Sequence, residues 1–429
     1  MATILKLDRA RPADPRRWTI GLEVSSDCTR VAAALVAARG HGLEIDADIV
    51  GTMTAQVPKE TAALFLPWSD PGRGPAGTDA PDAIGVLRAG LAELQASLAS
   101  ALLAQAGLAP GGVLAIGVHD PGLWSSGKAA QATYLGLCDA ARLAEVSGLS
   151  VIDAFPARDV ASGGQGGPIA PLAEWVLLRH PKFNRLLLDL GRTTRMSYLP
   201  RKTRSPSGPR VFACEVGPGM GLVDLIARSF SGGEWRFDPG GRLAVQGRRL
   251  EGVLDHWLNE PYFRIPPPRW HPRGVRPERF VLDAMKMAVD RGWSVRDLLC
   301  TATHFVAEAV ALAARRDLPQ DAKIDEVLIA GGGQHNGMLL REIAVRLPGA
   351  PIVRLGELGV PSEALGPASV AVLALFHVDQ VPANRPEVTG AEIARVLGQL
   401  TPGSPQNWQR LLAEMATCRP AARSLRSAL

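Results

Sequence analysis

The glycines of this chain fall where they most restrict its fold. Four apolar, strand-like stretches run into glycine: at Gly163–Gly167, at Gly191, in "EVGPGMG" from Glu215 and in "AGGGQHNG" from Ala330. Glycine lets backbone approach a ligand closely and reach positive φ. Where a helix follows, its first N–H groups face an anion. Four such junctions in one chain predict strands alternating with helices, and a nucleotide or sugar site at the strand ends. None reads GxxxxGK[ST], which excludes a P-loop NTPase, and none is a GxGxxG followed by the acid of a dinucleotide site.

The periodicity agrees with an α/β chain. "WTIGLEV" reads as a strand and "VAAALVAAR" as a further strand or helix. "APDAIGVLRAGLAELQASLASALLAQAG" spaces its apolar residues as an amphipathic helix, with Asp82 near its start. "GVLAIGVHD" and "LSVIDAF" read as strands, and the helix between them ends at Gly148. "NRLLLDLGRTTRMSYLP" and "PRVFACEVGPGM" read as a strand pair joined by the basic turn "RKTRSPSG". "GLVDLIARSF", a long helix capped by Ser294, the helix after "AGGGQHNG" and a buried "GPASVAVLALFHV" follow.

At 429 residues with 46% hydrophobic and 21% charged residues, the chain suits two domains. The net charge of +5 comes with Arg-rich, Ala/Gly/Pro-rich composition and no basic cluster on one element beyond the stretch Arg201–Arg210. Nucleic-acid binding is therefore not expected. Five widely spaced cysteines without a CxxC pair argue against zinc and for reduced thiols in the cytoplasm. The N-terminus has no signal-peptide run, and no stretch reads as the ~20 apolar residues of a membrane span.

Carboxylates beside the glycine loops are few: Asp159, Asp189, Glu215 and Asp224. A carboxylate at a strand-to-loop junction is a reasonable general base. Asp159 equally suits capping its loop or pairing with Arg158. His119 and His335 lack metal-type spacing and read as core or hydrogen-bonding residues.

Taken in order, the motifs "RDVASGGQGGPIAP", "LDLGRTTRMSYL", "EVGPGM", "FDPGGRLAVQG", "LNEPYFRIPPPR", "LIAGGGQHNGMLL" and "VTGAEIARVLG" resemble those of the anhydro-N-acetylmuramic acid kinase family from about Trp18 to Leu400. The resemblance implies an actin/hexokinase-like (ASKHA, ribonuclease H-like) fold, two α/β domains around a central cleft. The polar, Pro/Arg-rich residues 1–17 read as a flexible arm, before a first domain over 18–160, a second over 161–400, and a tail over 401–429 that packs back on the first. The resemblance also implies a homodimer. The implied reaction is ATP-dependent. Water attacks the anomeric carbon of the 1,6-anhydro amino sugar, and the oxygen at C6 takes the γ-phosphoryl group as the ring opens.

By motif position the resemblance makes Asp159 the base. It assigns Gly163, Gly164, Gln165, Gly166 and His119 to the sugar. It assigns Ser25, Ser26, Asp27, Gly191, Gly217, Pro218, Gly219, Gly331, Gly332, Gly333 and Asn336 to ATP, and Glu215 and Asp224 to Mg2+.

The chain departs from the family's pattern on these loops. The first phosphate loop, GLMSGTSxDGxD in the family, reads "GLEVSSDCTRVA" from Gly21 to Ala32 and lacks its glycines. Arg192 and Arg195 stand at a family Gly and Asn, Glu215–Val216 replaces Asp–Thr, and "AFP" (Ala154–Pro156) replaces DFR. Two readings follow. In one, a kinase uses Arg30, Arg192 and Arg195 where the family uses N–H groups and metal. In the other, a non-catalytic member keeps the fold and binds a sugar or a partner.

Overall fold

A computed structural model describes residues 3–4, 16–69, 80–124, 133–202, 208–270, 275–288 and 291–417. The chain forms two compact units. One comprises Met1–Leu177 with Glu363–Leu429, and the other Leu178–Ser362.

The first unit opens with β1 (Thr3–Ile4), β2 (Arg17–Val24), β3 (Arg30–Arg39) and β4 (Asp46–Gln56). "VAAALVAAR" is thus a strand: it pairs on both sides, antiparallel to β2 and to β4, and buries an almost unbroken apolar run. Helices α1 (Lys59–Ser69) and α2 (Ala80–Ala106) follow. Asp82 lies in the first turn of α2, where a carboxylate suits the helix dipole. Next come β5 (Val113–His119), the short β6 (Leu123–Trp124) and β7 (Tyr134–Leu135), α3 (Ala140–Ser147), β8 (Ser150–Asp153), α4 (Phe155–Ala161) and α5 (Pro171–Leu178). Gly148 closes α3 in the left-handed region, at φ 69°. The seven-stranded sheet runs β1-β4-β3-β2-β5-β8-β14, with β2, β5 and β8 parallel.

The second unit carries β9 (Arg185–Leu190), β10 (Thr193–Leu199), β11 (Phe212–Pro218), α6 (Met220–Phe230), α7 (Glu251–Leu258), α8 (Pro277–Ala288), α9 (Val295–Asp317), β12 (Glu326–Ala330), α10 (Gly337–Arg346) and β13 (Ile352–Arg354). "NRLLLDLGRTTRMSYLP" is two strands, not one. The turn Gly191–Arg192 folds β10 back onto β9, and β11 then pairs antiparallel with β10. The connection through the basic stretch is the longer link, and its residues 203–207 lie outside the described residues. The sheet order is β11-β10-β9-β12-β13, with β9, β12 and β13 parallel. Ser294 caps α9 through a reciprocal box with Asp297, as its position predicts. Around α9, Trp257 and Phe280 flank Phe305, with ring centroids 5.2 and 5.4 Å away. Burying each such ring stabilises the fold by roughly 1.5–3 kcal/mol.

The chain then returns to the first unit with α11 (Leu365–Val378), α12 (Pro386–Thr389), β14 (Gln399–Thr401) and α13 (Pro405–Thr417). Residues 363–400 therefore pack with the N-terminal sheet, and the division falls at Leu177/Leu178 rather than at 160/161. Close approach explains it. α11 crosses β2 and β5 at two glycines. A Cβ on Gly21 would lie 1.8 Å from the Pro367 carbonyl oxygen, and one on Gly117 would lie 2.7 Å from that of Val370. Buried Asn407 of α13 accepts from the amide and hydroxyl of Ser150, both at 2.7 Å, and donates to the Val113 carbonyl at 3.0 Å. At the other end, Arg17 is buried and pairs with Asp379 and Glu414, and Thr3–Ile4 adds to the sheet edge. The segment 1–17 is thus not wholly a loose arm.

Among the described residues two helices, α2 and α9, are long and apolar enough to cross a membrane by length and composition, contrary to the sequence expectation. Their most apolar stretches are 50% and 72% buried, and both contribute to the hydrophobic cores.

Candidate active site

In the first unit, the glycine loop follows helix α4 rather than the expected strand, and Asp159 lies on that helix. Asp159 is fully buried, and three donors meet its carboxylate. The Gly166 amide donates to Oδ2 at 2.8 Å; Asn384 Nδ2 and the Thr389 hydroxyl donate to Oδ1 at 2.8 and 2.6 Å. The Gly164 amide donates to the Asp159 carbonyl at 2.9 Å, and a Cβ there would lie 2.1 Å from Oδ2. Only glycine fits at 164, because the carboxylate occupies the side-chain space. Gln165 donates its amide to the Thr389 carbonyl, and Gly163 and Gly166 take φ of +83° and +82°. Asp159 thus fixes the loop's shape. Its partner Thr389 belongs to the closing "TGA" motif, which the sequence marks without giving it a role. Nothing in the sequence signals Asn384.

This loop stands beside further groups at the carboxyl ends of parallel strands. Register places His119 opposite Glu23, and Ile152 opposite Gly117, so His119, Asp120 and Asp153 share one sheet edge with the β2–β3 turn. Asp120, buried, accepts from the amides of Gly122 at 2.8 Å and of Leu137 and Cys138, each at 3.0 Å. Burial still pushes its carboxyl up. Asp153 is pushed up to about 7, by burial first and then by the charge of Asp120. Trp124 lies tilted against Tyr134, ring centroids 4.8 Å apart, and Gly166 packs directly on the Trp124 ring. Such rings give a sugar apolar surface. Trp124, Tyr134 and Asp153 carry no motif, and only their tertiary neighbours reveal them.

The β2–β3 turn is built on its own side chains. Asp27 Oδ1 accepts from the Ser25 and Thr29 hydroxyls at 2.6 and 2.8 Å and from the Thr29 amide at 3.2 Å. Ser25 Oγ accepts from the Thr29 and Arg30 amides at 3.2 and 3.1 Å. Burial raises the Asp27 carboxyl, but the donors of Ser25 and Thr29 outweigh it and the net shift is downward. Cys28 at the turn holds φ +58° and is buried. Ser26 is exposed.

In the second unit, three glycine loops meet at the carboxyl ends of β9 and β12. Ala330 pairs in register with Asp189, which sets Gly331 beside Gly191. A Cβ on Gly331 would lie 2.7 Å from Asp189 Oδ1, one on Gly333 would lie 2.5 Å from the Leu190 side chain, and one on Gly219 would lie 2.5 Å from the Gly191 carbonyl. Nothing lies within 4 Å of where a Gly332 side chain would stand. Two buried polar atoms in these loops, Thr194 Oγ1 and Asn336 Nδ2, have no partner among the described residues. Asn336 Oδ1 caps α10 through the Leu339 amide at 3.0 Å. The amides of Gly219, Met220 and Gly221 donate to the carbonyls of Gly191 and Arg192. Asp189 pairs with Arg195 at 2.7 Å, so Arg195, which stands at a family Asn, is held by Asp189.

Glu215 is buried and accepts the Tyr262 hydroxyl at 3.0 Å, while Gly217 and Pro218 are buried behind it at the end of β11. Asp224, on α6, is pushed up to about 6 by burial, against the charge of Arg228. The structure does not bring Glu215 and Asp224 into a three-ligand group. Among the described residues one such group exists, His256, Glu260 and Asp283 on and beside α7 and α8, and Arg279 already pairs with Glu260 at 2.8 Å. The exposed His335 joins no such group.

Each sheet places an antiparallel meander beside two further parallel strands, in the order third, second, first, fourth, fifth. That is the ribonuclease H-like arrangement. Its duplication in one chain, with glycine loops at the carboxyl ends of the strands, defines a member of the actin/hexokinase-like class. The chain belongs to the anhydro-N-acetylmuramic acid kinase family, whose model matches residues 75–403. It is 30% identical to the anhydro-N-acetylmuramic acid kinase of Acaryochloris marina over 89% of this chain and 98% of that protein. It is 33% identical to that of Synechococcus elongatus over 73% and 82%. Among solved structures, the ROK hexokinase of Thermus thermophilus shows a distant likeness, at 18% identity over 83% of this chain and 99% of that one, TM-score 0.34. The relatives named here all carry the kinase name, and none supports the non-catalytic reading.

Proposed function

We propose that the chain opens the 1,6-anhydro ring of anhydro-N-acetylmuramic acid with water and transfers the γ-phosphoryl group of ATP to the freed oxygen at C6. One observation carries the nucleotide half: three glycine loops converge around Leu190–Gly191, and the space where a Gly332 side chain would stand is open, so backbone can approach a phosphate closely. We assign Asp189 Oδ1, beside Gly331, to meet a phosphate-bound Mg2+, while Oδ2 keeps Arg195.

We assign the sugar to the first unit. The loop Gly163–Gly166, the Trp124 face and His119 form its wall. Asp159 holds that wall in shape, because its oxygens already serve three donors. Water activation by Asp159 requires one of these donors to give way. Asp159→Asn separates the two roles. Loss of a base removes turnover with the fold intact, whereas loss of an anchor removes stability. The buried thiols of Cys28, Cys138, Cys214 and Cys300 suit a reducing cytoplasm, and we assign the enzyme to that compartment, as a homodimer.

A coupled assay of ADP release with the anhydro sugar tests the proposal. The expected result is release that needs both sugar and Mg–ATP. Sugar-independent ATP hydrolysis, or no turnover with millimolar Mg–ATP, refutes it.

A further inference from the structure

We propose that Arg192 is this chain's contact to the nucleotide's phosphates, in place of the backbone amides of the α6 N-terminus. The inference rests on the nucleotide half of the reading above. A helix N-terminus binds phosphate through free N–H groups. Here those groups are taken: Gly219 donates to the Arg192 carbonyl at 3.0 Å, Met220 to Gly191 at 2.8 Å and Gly221 to Arg192 at 3.1 Å. The positive charge at this turn must come from a side chain.

Three arginines stand where the family's pattern has none, and the structure separates them. Arg195 is committed to Asp189 at 2.7 Å. Arg30 belongs to the other unit, on a turn whose amides already serve Ser25 and Asp27. Arg192 sits at the apex of the β9–β10 turn, directly over the start of α6. Its stem lies in a slot that Gly221 leaves open, since a Cβ there would fall 2.7 Å from Arg192 Cγ. The stem is positioned by packing, and the side chain as a whole remains 56% exposed.

The guanidinium has one ion-pair partner among the described residues, the exposed Glu278, at 3.6 Å. An exposed pair at that distance contributes little and exchanges readily. A triphosphate offers guanidinium a bidentate, doubly charged partner, which is the stronger match. Glu278 then acts as a weak competitor that occupies Arg192 when no nucleotide is bound.

The test is isothermal titration of the full-length protein with Mg–ATP, with the sugar titrated separately. Arg192→Ala is expected to weaken ATP binding at least tenfold, and Arg192→Lys to weaken it less. Sugar affinity and the melting temperature are expected to stay unchanged. Glu278→Gln is expected to tighten ATP binding two- to fivefold. An Arg192→Ala protein that binds ATP within twofold of wild type overturns the inference while leaving the kinase reading intact. A wild-type protein that binds no ATP removes both.

Discussion

Replacing Asp159 by Asn changes one oxygen into an NH2 group at a site with no exposure to water. The surviving oxygen keeps the Thr389 hydroxyl and Asn384 amide, at 2.6 and 2.8 Å. The new NH2 then faces the Gly166 N–H, donor against donor, where Oδ2 accepted at 2.8 Å. The variant loses a hydrogen bond to a charged group, about 1.5–3 kcal/mol, and strands a buried N–H, about 1–3 kcal/mol. We expect a net destabilisation of about 3–5 kcal/mol, read by urea denaturation followed by far-UV circular dichroism. The midpoint should fall with the slope unchanged. Turnover should fall with it, because the sugar wall is set by the loop that Asp159 holds. A loss of stability below about 1 kcal/mol would refute the anchor role. Should such a protein also lose turnover a thousandfold, Asp159 would be the base and the three donors would be exchanged during reaction.

Three further outcomes follow from the same geometry. Asp153 ionises in the folded protein near pH 7, against about 3.8 in the unfolded chain. Its neutral folded form costs nothing below pH 3.8, and stability is lost as pH rises through 7, by up to about 4 kcal/mol. Asp153→Asn should therefore gain about 2–3 kcal/mol relative to wild type between pH 5 and pH 8 in denaturant titrations; an equal pH slope for both proteins contradicts the assignment. Gly21→Ala sets a methyl carbon 1.8 Å from the Pro367 carbonyl oxygen. It should force α11 off β2 and destabilise by about 3 kcal/mol or more, within the overpacking range and above; a variant that melts like wild type shows that the contact yields. Saturating Mg–ATP, at 100 times its Kd, should stabilise the protein by about 2.7 kcal/mol in a thermal-shift titration, and the absence of any shift at millimolar nucleotide excludes the nucleotide site.

The linear pattern determined the α/β class, most of the helices and strands, and the family, because strand-to-glycine junctions and helical periodicity are local properties. It also located the loops on which chemistry rests, since glycine at a close approach is a local requirement even when its partner is distant. Other features needed the third dimension. α11 joins the first unit because Gly21 and Gly117 let it pack on β2 and β5, strands more than 240 positions away in the chain. Asp159 and Glu215 read alike in sequence as carboxylates beside glycines. Thr389 and Asn384, over 220 residues beyond Asp159, turn that carboxylate into an anchor. Arg192 and Arg195 read alike as charges on one loop, and only the fold gives one to Asp189 and leaves the other at the turn over α6. The physical reason is the same in each case. What a buried or paired group can do depends on which donors, charges and backbone atoms reach it, and those come from parts of the chain that local pattern does not connect.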